Sequence, residues 1–251
     1  VQRSTDCVDG TAFGETLQPV TYSMRINVDN SDSSSGGPAS AKLNCLQYCV
    51  EGYDFRRLFS KRNASISFWV KAPKTGRYSL AFQNFNSLKT YITTYNIAVA
   101  NTWQKVRIQI PMSDINGSDF NFDDGIGLKI SWVLGTGGAW VCEEEELNQW
   151  LSTGGVISAP GSNDIGATET DEDNEFYLTQ IQLEPGNVCT PFVSYGGTRT
   201  SDYNASLRYY EKSYELVDRP ASTTDKGVVT FQDPVVLPIC HDNQTFLCEK
   251  R

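Results

Sequence analysis

Alternation of apolar and polar residues with a period of two recurs from one end of the chain to the other. Successive side chains of a β-strand point to opposite faces, so this period predicts strands with one buried face. The apolar positions of these runs are Tyr22, Met24, Ile26 and Val28; Leu46, Tyr48 and Val50; Ile66, Phe68 and Val70; Tyr78, Leu80 and Phe82; Val106, Ile108 and Ile110; Leu128, Ile130, Trp132 and Leu134; and Tyr177, Thr179, Ile181 and Leu183. No long helical period interrupts them, which disfavours a parallel α/β fold.

The organisation of the chain follows from these strands and from the segments between them. Short strands punctuated by Gly, Pro, Asn and Asp predict an all-β fold, an antiparallel β-sandwich of the jelly-roll type, over residues 1–196. Residues 29–40 read as a surface loop, and residues 135–174 form the longest irregular segment, where function tends to lie. Residues 197–251 are predicted to hold a short linker helix and the start of a second, C-terminal β module.

Composition and charge exclude several classes of protein. Hydrophobic residues make up 39% of the chain and aromatic residues 12%, which is enough for a folded core and unlike a disordered chain. The net charge of −9 argues against a nucleic-acid binder, which needs a basic face. No apolar run approaches the ~20 residues that span a bilayer. The chain begins at Val1 and stops at Arg251 within a strand-like run, so we expect a segment of a longer protein.

Seven cysteines and one histidine limit the covalent and metal chemistry. Cys45 and Cys49 lie in one predicted strand, roughly 13 Å apart at about 3.3 Å per residue, which is beyond the reach of a disulfide. No C-x-x-C pair is present, and His241 stands alone, so a zinc site is not expected. The cysteines are expected to be reduced and buried, as in a protein assembled in a cytosol. His241 has no recognisable nucleophile partner, and no catalytic residue is predicted.

Two acidic stretches are candidate functional sites. Asp119, Asn121 and Asp123 resemble the start of a calcium loop, but Gly125 falls one position late and Ile130 replaces the bidentate Glu. A polar turn is therefore predicted, with calcium as the alternative. The four glutamates at 143–146 predict a solvated surface, because a glycosidase needs two carboxylates about 5–10 Å apart across a cleft, one of them with a raised pKa.

Two tryptophans are candidates for contact with a glycan, and one face of a predicted helix is a candidate for contact between subunits. Trp140 and Trp150 lie in the long irregular segment, and exposed aromatic rings stack on the apolar faces of sugars. They are predicted to contact a glycan. Leu207, Tyr210 and Tyr214 fall on one face of the predicted helix, whose apolar side needs a partner. That face is predicted to be a subunit contact.

Several phrases of the chain resemble a module found in phage tail-fibre and other virion structural proteins, which has the jelly-roll fold of carbohydrate-binding modules. The phrases occupy residues 64–72, 101–106, 176–186 and 190–192, followed by the Tyr-rich stretch at 208–214. The resemblance covers roughly residues 15–215. Many such jelly rolls hold a calcium ion with an Asp on the last strand, whereas Tyr177-Leu178-Thr179-Gln180 contains no carboxylate.

The resemblance implies a function for the whole chain. It implies a non-enzymatic module on the virion surface, on a tail fibre or a head fibre, assembled in the host cytoplasm. Such modules are often homotrimers, contact other virion proteins and sometimes bind host glycans, where repeated weak contacts give avidity. The alternatives are a carbohydrate-binding accessory domain of a polysaccharide-degrading enzyme and a ligand-free capsid decoration or spacer. An exposed Trp140 or Trp150 would favour adhesion, and a buried one would favour a spacer.

Overall fold

The structure is a computed structural model that describes residues 1–8, 21–27, 42–60, 62–152, 154–165, 174–194 and 199–207. These residues form ten strands and two α-helices. The strands are β1 Gln2–Ser4, β2 Ser23–Asn27, β3 Leu43–Glu51, β4 Asn63–Lys71, β5 Gly76–Gln83, β6 Thr90–Ile97, β7 Gln104–Pro111, β8 Ile126–Thr136, β9 Trp150–Leu151 and β10 Glu175–Pro185, and the helices are α1 Gly52–Phe59 and α2 Arg199–Leu207.

The strands form two antiparallel sheets of five strands each. The first sheet has the order β1-β2-β10-β4-β7, and the second has the order β3-β8-β5-β6-β9. Without the short strands β1 and β9, four strands remain in each sheet, and the chain passes repeatedly from one sheet to the other. This is the jelly-roll arrangement, so the predicted all-β sandwich is confirmed.

The core lies between the two sheets and is rich in aromatic rings. Phe68 of β4 is fully buried, and its ring meets Tyr95 of β6 and Trp132 of β8 edge to face, at centroid distances of 5.4 Å and 5.7 Å. Ile66 and Val70, two residues from Phe68 on either side, are also fully buried. The period of two seen in the sequence therefore selects the inward-facing residues of this strand.

The outer face of the second sheet is partly covered by the irregular segment that follows β8. Val141 and Ser158 form a parallel bridge within this segment. The backbone N–H of Ala159 donates to Ser79 Oγ of β5 at 2.8 Å, which ties the segment to the sheet. A second apolar cluster results, made of Ala81, Ile92, Val133, Cys142, Leu151, Ile157 and Ala159.

Two elements differ from the sequence expectation. Strand β6 was not predicted, because Ile92 faces the second cluster while Tyr91 and Tyr95 face the core, so both sides of this strand are apolar. Helix α1, Gly52–Phe59, was not predicted either. A short helix of two turns has too few residues to show a clear period beside the strands.

The described cysteines differ in their exposure. Within the described residues, Cys45, Cys49, Cys142 and Cys189 form no disulfide. Cys142 is buried, but Cys49 is exposed, so burial was predicted correctly for Cys142 and wrongly for Cys49.

The chain divides into two compact units, Val1–Phe192 and Val193–Arg251. Within the second unit, α2 is described, and the predicted C-terminal β module lies outside the described residues, as does the loop predicted at 29–40. No helix of the described segments is long and apolar enough to cross a bilayer.

Candidate functional site

The two candidate tryptophans occupy different environments. Trp150 begins β9, and its ring packs on the inner core against Tyr91 and Phe120, at centroid distances of 5.5 Å and 5.8 Å. Its Nε1 donates to the carbonyl oxygen of Pro111 at 2.6 Å. A half-buried ring with its polar atom engaged in the protein contributes to packing, so the contacts of Trp150 are structural.

Trp140 lies on the outer face of the second sheet. It ends a short 3-10 helix, Gly138–Trp140, and its half-buried ring packs against the second apolar cluster. The backbone N–H groups of Ile157 and Ser158 both donate to its carbonyl oxygen, at 2.9 Å and 3.0 Å. A Cβ placed on Gly155 would come within 3.4 Å of its Cζ3 atom, so the indole ring lies over that glycine. The ring is therefore held in place but retains an exposed part.

A polar surface, here called the outer platform, adjoins Trp140 on the same face. It consists of outward-facing residues in neighbouring strands: Gln47 and Cys49 of β3, and Lys129 and Ser131 of β8. Gln47 and Cys49 are exposed, Lys129 is half-buried, and Ser131 is buried beneath the amide of Gln47. The Nε2 group of Gln47 donates to Ser131 Oγ at 3.1 Å.

The β5–β6 hairpin connects the outer platform to Trp140. Lys129 Nζ donates to Ser87 Oγ at 3.2 Å, and the carbonyl oxygen of Ser87 accepts from the N–H of Gly155, also at 3.2 Å. Gly155 is the residue over which the ring of Trp140 lies. The ammonium group of Lys129 is therefore connected to the indole ring of Trp140 through Ser87 and Gly155, and both groups lie at the same surface.

The outer platform places an amide and an ammonium group beside a half-buried aromatic ring. Amide and ammonium groups donate to hydroxyls, and an adjacent aromatic ring packs on the apolar face of a sugar. Trp140 was predicted from the sequence as a glycan contact, whereas Gln47, Lys129 and Ser131 were not. Their alternation marks them as facing away from the core, but the pairing of β3 with β8 is needed to bring them together.

The candidate calcium ligands Asp119 and Asp123 interact with different partners in the protein. The Oδ2 atom of Asp119 lies 3.6 Å from Lys89 Nζ. Asp123 Oδ1 accepts from the N–H of Gly125 at 2.9 Å, which closes a local turn, and Asn121 is half-buried on the same loop. The described segments contain no group of three or more His, Cys, Asp or Glu residues placed to hold a metal ion. Calcium binding here stays the alternative to the predicted polar turn.

The acidic residues at 143–146 form a short 3-10 helix, Glu144–Glu146, at the surface. Glu144 accepts two hydrogen bonds from the guanidinium of Arg77, at 2.7 Å and 3.0 Å, and these lower the pKa of its carboxyl group. Glu143 and Glu146 cap the helix reciprocally. These carboxylates serve local structure at an exposed turn.

The predicted subunit contact lies in the second unit. Leu207 ends α2 and is exposed. Tyr210 and Tyr214 lie outside the described residues. The contact therefore stays a prediction.

The jelly-roll scaffold occurs in proteins of many unrelated functions, so the fold alone assigns none. The chemistry of the outer platform is a more specific guide, because it depends on particular side chains. No protein-family model matches the chain, and no curated protein matches it.

Proposed function

We propose that the chain is a structural module of a virion surface fibre, on a tail or a head, that binds host glycans through the outer platform and catalyses no reaction. In this proposal copies of the chain assemble as a homotrimer with other virion proteins. The observation that carries the glycan-binding part is the position of the Trp140 ring beside the outer platform.

The proposal that the chain belongs to a virion fibre rests on its resemblance to the module of phage tail-fibre proteins. The fold supports this proposal. The three longest matching phrases, separated in sequence, correspond to β4, to the turn before β7 together with the start of β7, and to β10. These three strands are neighbours in the first sheet, in the order β10-β4-β7. The short phrase at 190–192 returns to β10, where Gln182 Nε2 donates to Thr190 Oγ1 at 3.0 Å. The phrases therefore form one contiguous unit.

The charge state of three described carboxyl groups agrees with a binding role. A glycosidase needs an acid whose pKa is raised. Three described carboxyl groups, those of Asp6, Glu144 and Glu184, have pKa values displaced from the ordinary ones. Burial opposes ionisation of Asp6 and Glu184, but hydrogen bonds from neighbouring groups outweigh it, and the pKa of all three carboxyl groups is lowered. Each of them favours the ionised form, which cannot donate a proton.

The glycan-binding part is tested by comparing tryptophan variants. Trp140→Ala should abolish binding to a glycan array while the sandwich stays folded, because the ring lies at the edge of the core. Trp103→Ala is the matched control on the opposite sheet and should leave binding unchanged. Retention of full binding by Trp140→Ala would contradict the assignment. Trp150→Ala should instead lower the free energy of unfolding by about 3 kcal/mol.

The virion part is tested by electron microscopy of the native assembly. We expect a symmetric trimer that projects from a particle. A free monomer unattached to any particle would contradict the fibre proposal and favour an accessory domain of a secreted polysaccharide-degrading protein.

A further inference from the structure

Lys129 is the cation of the outer platform, and within the described residues it has no carboxylate partner. Its Nζ has one hydrogen-bond partner, the hydroxyl of Ser87, and it forms no ion pair within the described part of the chain. The residues paired with it in the adjacent strands are Cys49 and Gln83, which carry thiol and amide groups. The ammonium group therefore lies on a surface whose other members are uncharged.

Lys89, at the end of the same hairpin, is in a different state. Its Nζ donates to Ser152 Oγ at 2.7 Å and lies 3.6 Å from Asp119 Oδ2. The positive charge of Lys89 is thus paired with the carboxylate of Asp119 in the same protein. The contrast matters because a surface lysine without an acid partner is able to pair with an anion from outside.

We propose that the glycan bound at the outer platform is acidic, with a carboxylate or sulfate group that pairs with Lys129 while a neighbouring sugar packs against Trp140. This inference rests on the proposed glycan-binding function and names its ligand class. Gln47, whose amide lies on the same surface, would donate to hydroxyls between these two contacts.

The dimensions of the surface are compatible with a short oligosaccharide. Lys129, Ser131 and Val133 alternate along β8, and Val133 belongs to the cluster against which Trp140 packs. Four residues of a strand span about 13 Å. An anion at one end and an apolar sugar face at the other can therefore be contacted together.

The net charge of −9 does not oppose this ligand at close range. Charges separated by more than about 8 Å are largely screened at physiological ionic strength. Direct contact with Lys129 lies within that distance, and a hydrogen bond between an ammonium and a carboxylate is roughly twice as strong as one between neutral groups. The local cation, not the total charge, therefore decides which glycan binds.

The test uses matched acidic and neutral probes with the full chain. Oligogalacturonate, its methyl ester and a sulfated heparin oligosaccharide are titrated by calorimetry, with chitotetraose as a neutral sugar of different structure. Wild-type protein should bind at least one acidic probe, and methyl esterification of oligogalacturonate should abolish any binding of that probe. Lys129→Met, which keeps the aliphatic stem, should weaken acidic binding about tenfold or more. Lys89→Met is the matched control and should leave it unchanged.

The outcomes separate the two proposals. Binding of neutral probes that requires Trp140 but is unaffected by Lys129→Met would overturn the acidic-ligand inference and leave glycan binding intact. Equal weakening by Lys129→Met and Lys89→Met would also overturn it, since a general charge effect would then explain the loss. Absence of binding to every probe would count against glycan binding itself, and with it against the inference.

Discussion

Asp6 shows how one side chain fastens the N-terminal segment to the first sheet. Its carboxylate accepts hydrogen bonds from Lys71 Nζ and, at 3.0 Å, from Trp103 Nε1. Its carbonyl oxygen accepts from the hydroxyl of Ser23. Burial opposes ionisation of Asp6, but the two side-chain hydrogen bonds outweigh it, so the pKa of Asp6 lies below its ordinary value.

The lowered pKa of Asp6 predicts a pH dependence of stability. A depressed pKa in the folded state stabilises the protein above the unfolded value, near 3.8, and this contribution is lost as the pH falls through the folded pKa. Because the carboxylate is 39% exposed, we expect a contribution of only about 0.5–1 kcal/mol. Chemical denaturation at pH 6 and at pH 3 should show a smaller difference for Asp6→Asn than for wild type. Asp124→Asn, at an exposed turn, is the control, and an Asp6→Asn profile equal to wild type would contradict the assignment.

At the level of elements, α1 is packed by close backbone approach against the start of β8 and the turn that precedes it. The N–H of Gly52 donates to the carbonyl oxygen of Gly125 at 2.8 Å, and the N–H of Tyr53 donates to that of Asp123 at 3.0 Å. Phe55 and Leu58 of α1 are buried in the core. A Cβ on Gly52 would come within 2.7 Å of the backbone of Asp123, so no larger residue fits at this position without displacement.

This contact predicts a strong effect of a single methyl group. Gly52→Ala should lower the free energy of unfolding by about 2 kcal/mol or more, because the neighbouring atoms are backbone and cannot rotate away. Gly138→Ala is the control, since a Cβ there meets no atom within 4 Å, and it should change stability by less than about 0.5 kcal/mol. Urea denaturation of both variants measures the difference. A Gly52→Ala variant as stable as Gly138→Ala would show that α1 is not packed in this way.

At the scale of the whole molecule, the residues after β10 belong to the sandwich and not only to a connection. Ser65 Oγ donates to the carbonyl oxygen of Val188 at 3.1 Å, and Gln109 Nε2 donates to that of Asn187 at 2.7 Å. Glu184 accepts from both the N–H and the hydroxyl of Thr190. The chain therefore runs back over the outer face of the first sheet, and the first compact unit extends to Phe192.

Two truncations test the extent of this unit. A chain that ends at Ser194 should unfold with the same free energy as the sandwich of the full protein, to within about 0.5 kcal/mol. A chain that ends at Gly186 should lose about 2 kcal/mol or more, because several hydrogen bonds of roughly 0.5–1.5 kcal/mol each are removed. Thermal and urea unfolding of the pair gives the comparison. Equal stability of the two chains would show that residues 187–194 are dispensable.

The fold class and the inward faces of most strands could be predicted from the local pattern of apolar residues. In β4, Ile66, Phe68 and Val70 belong to the core, and the period of two in the sequence picks out these inward-facing residues, although Trp69 on the other face is also apolar and buried. It did not reveal β6, because a covering segment makes both faces of that strand apolar. The same limit applies to α1, whose two turns are stabilised by contact with β8.

The outer platform is brought together only by long-range packing. Trp140 and Trp150 lie in one irregular segment, yet one packs on the outer cluster and the other on the inner core. Lys129 and Gln47 come from strands distant in sequence, and the pairing of β3 with β8 places them side by side. The local pattern of a strand reflects only which of its own faces is buried. A surface site also depends on which strands are neighbours, and the order of strands in the sheet is set by long-range packing.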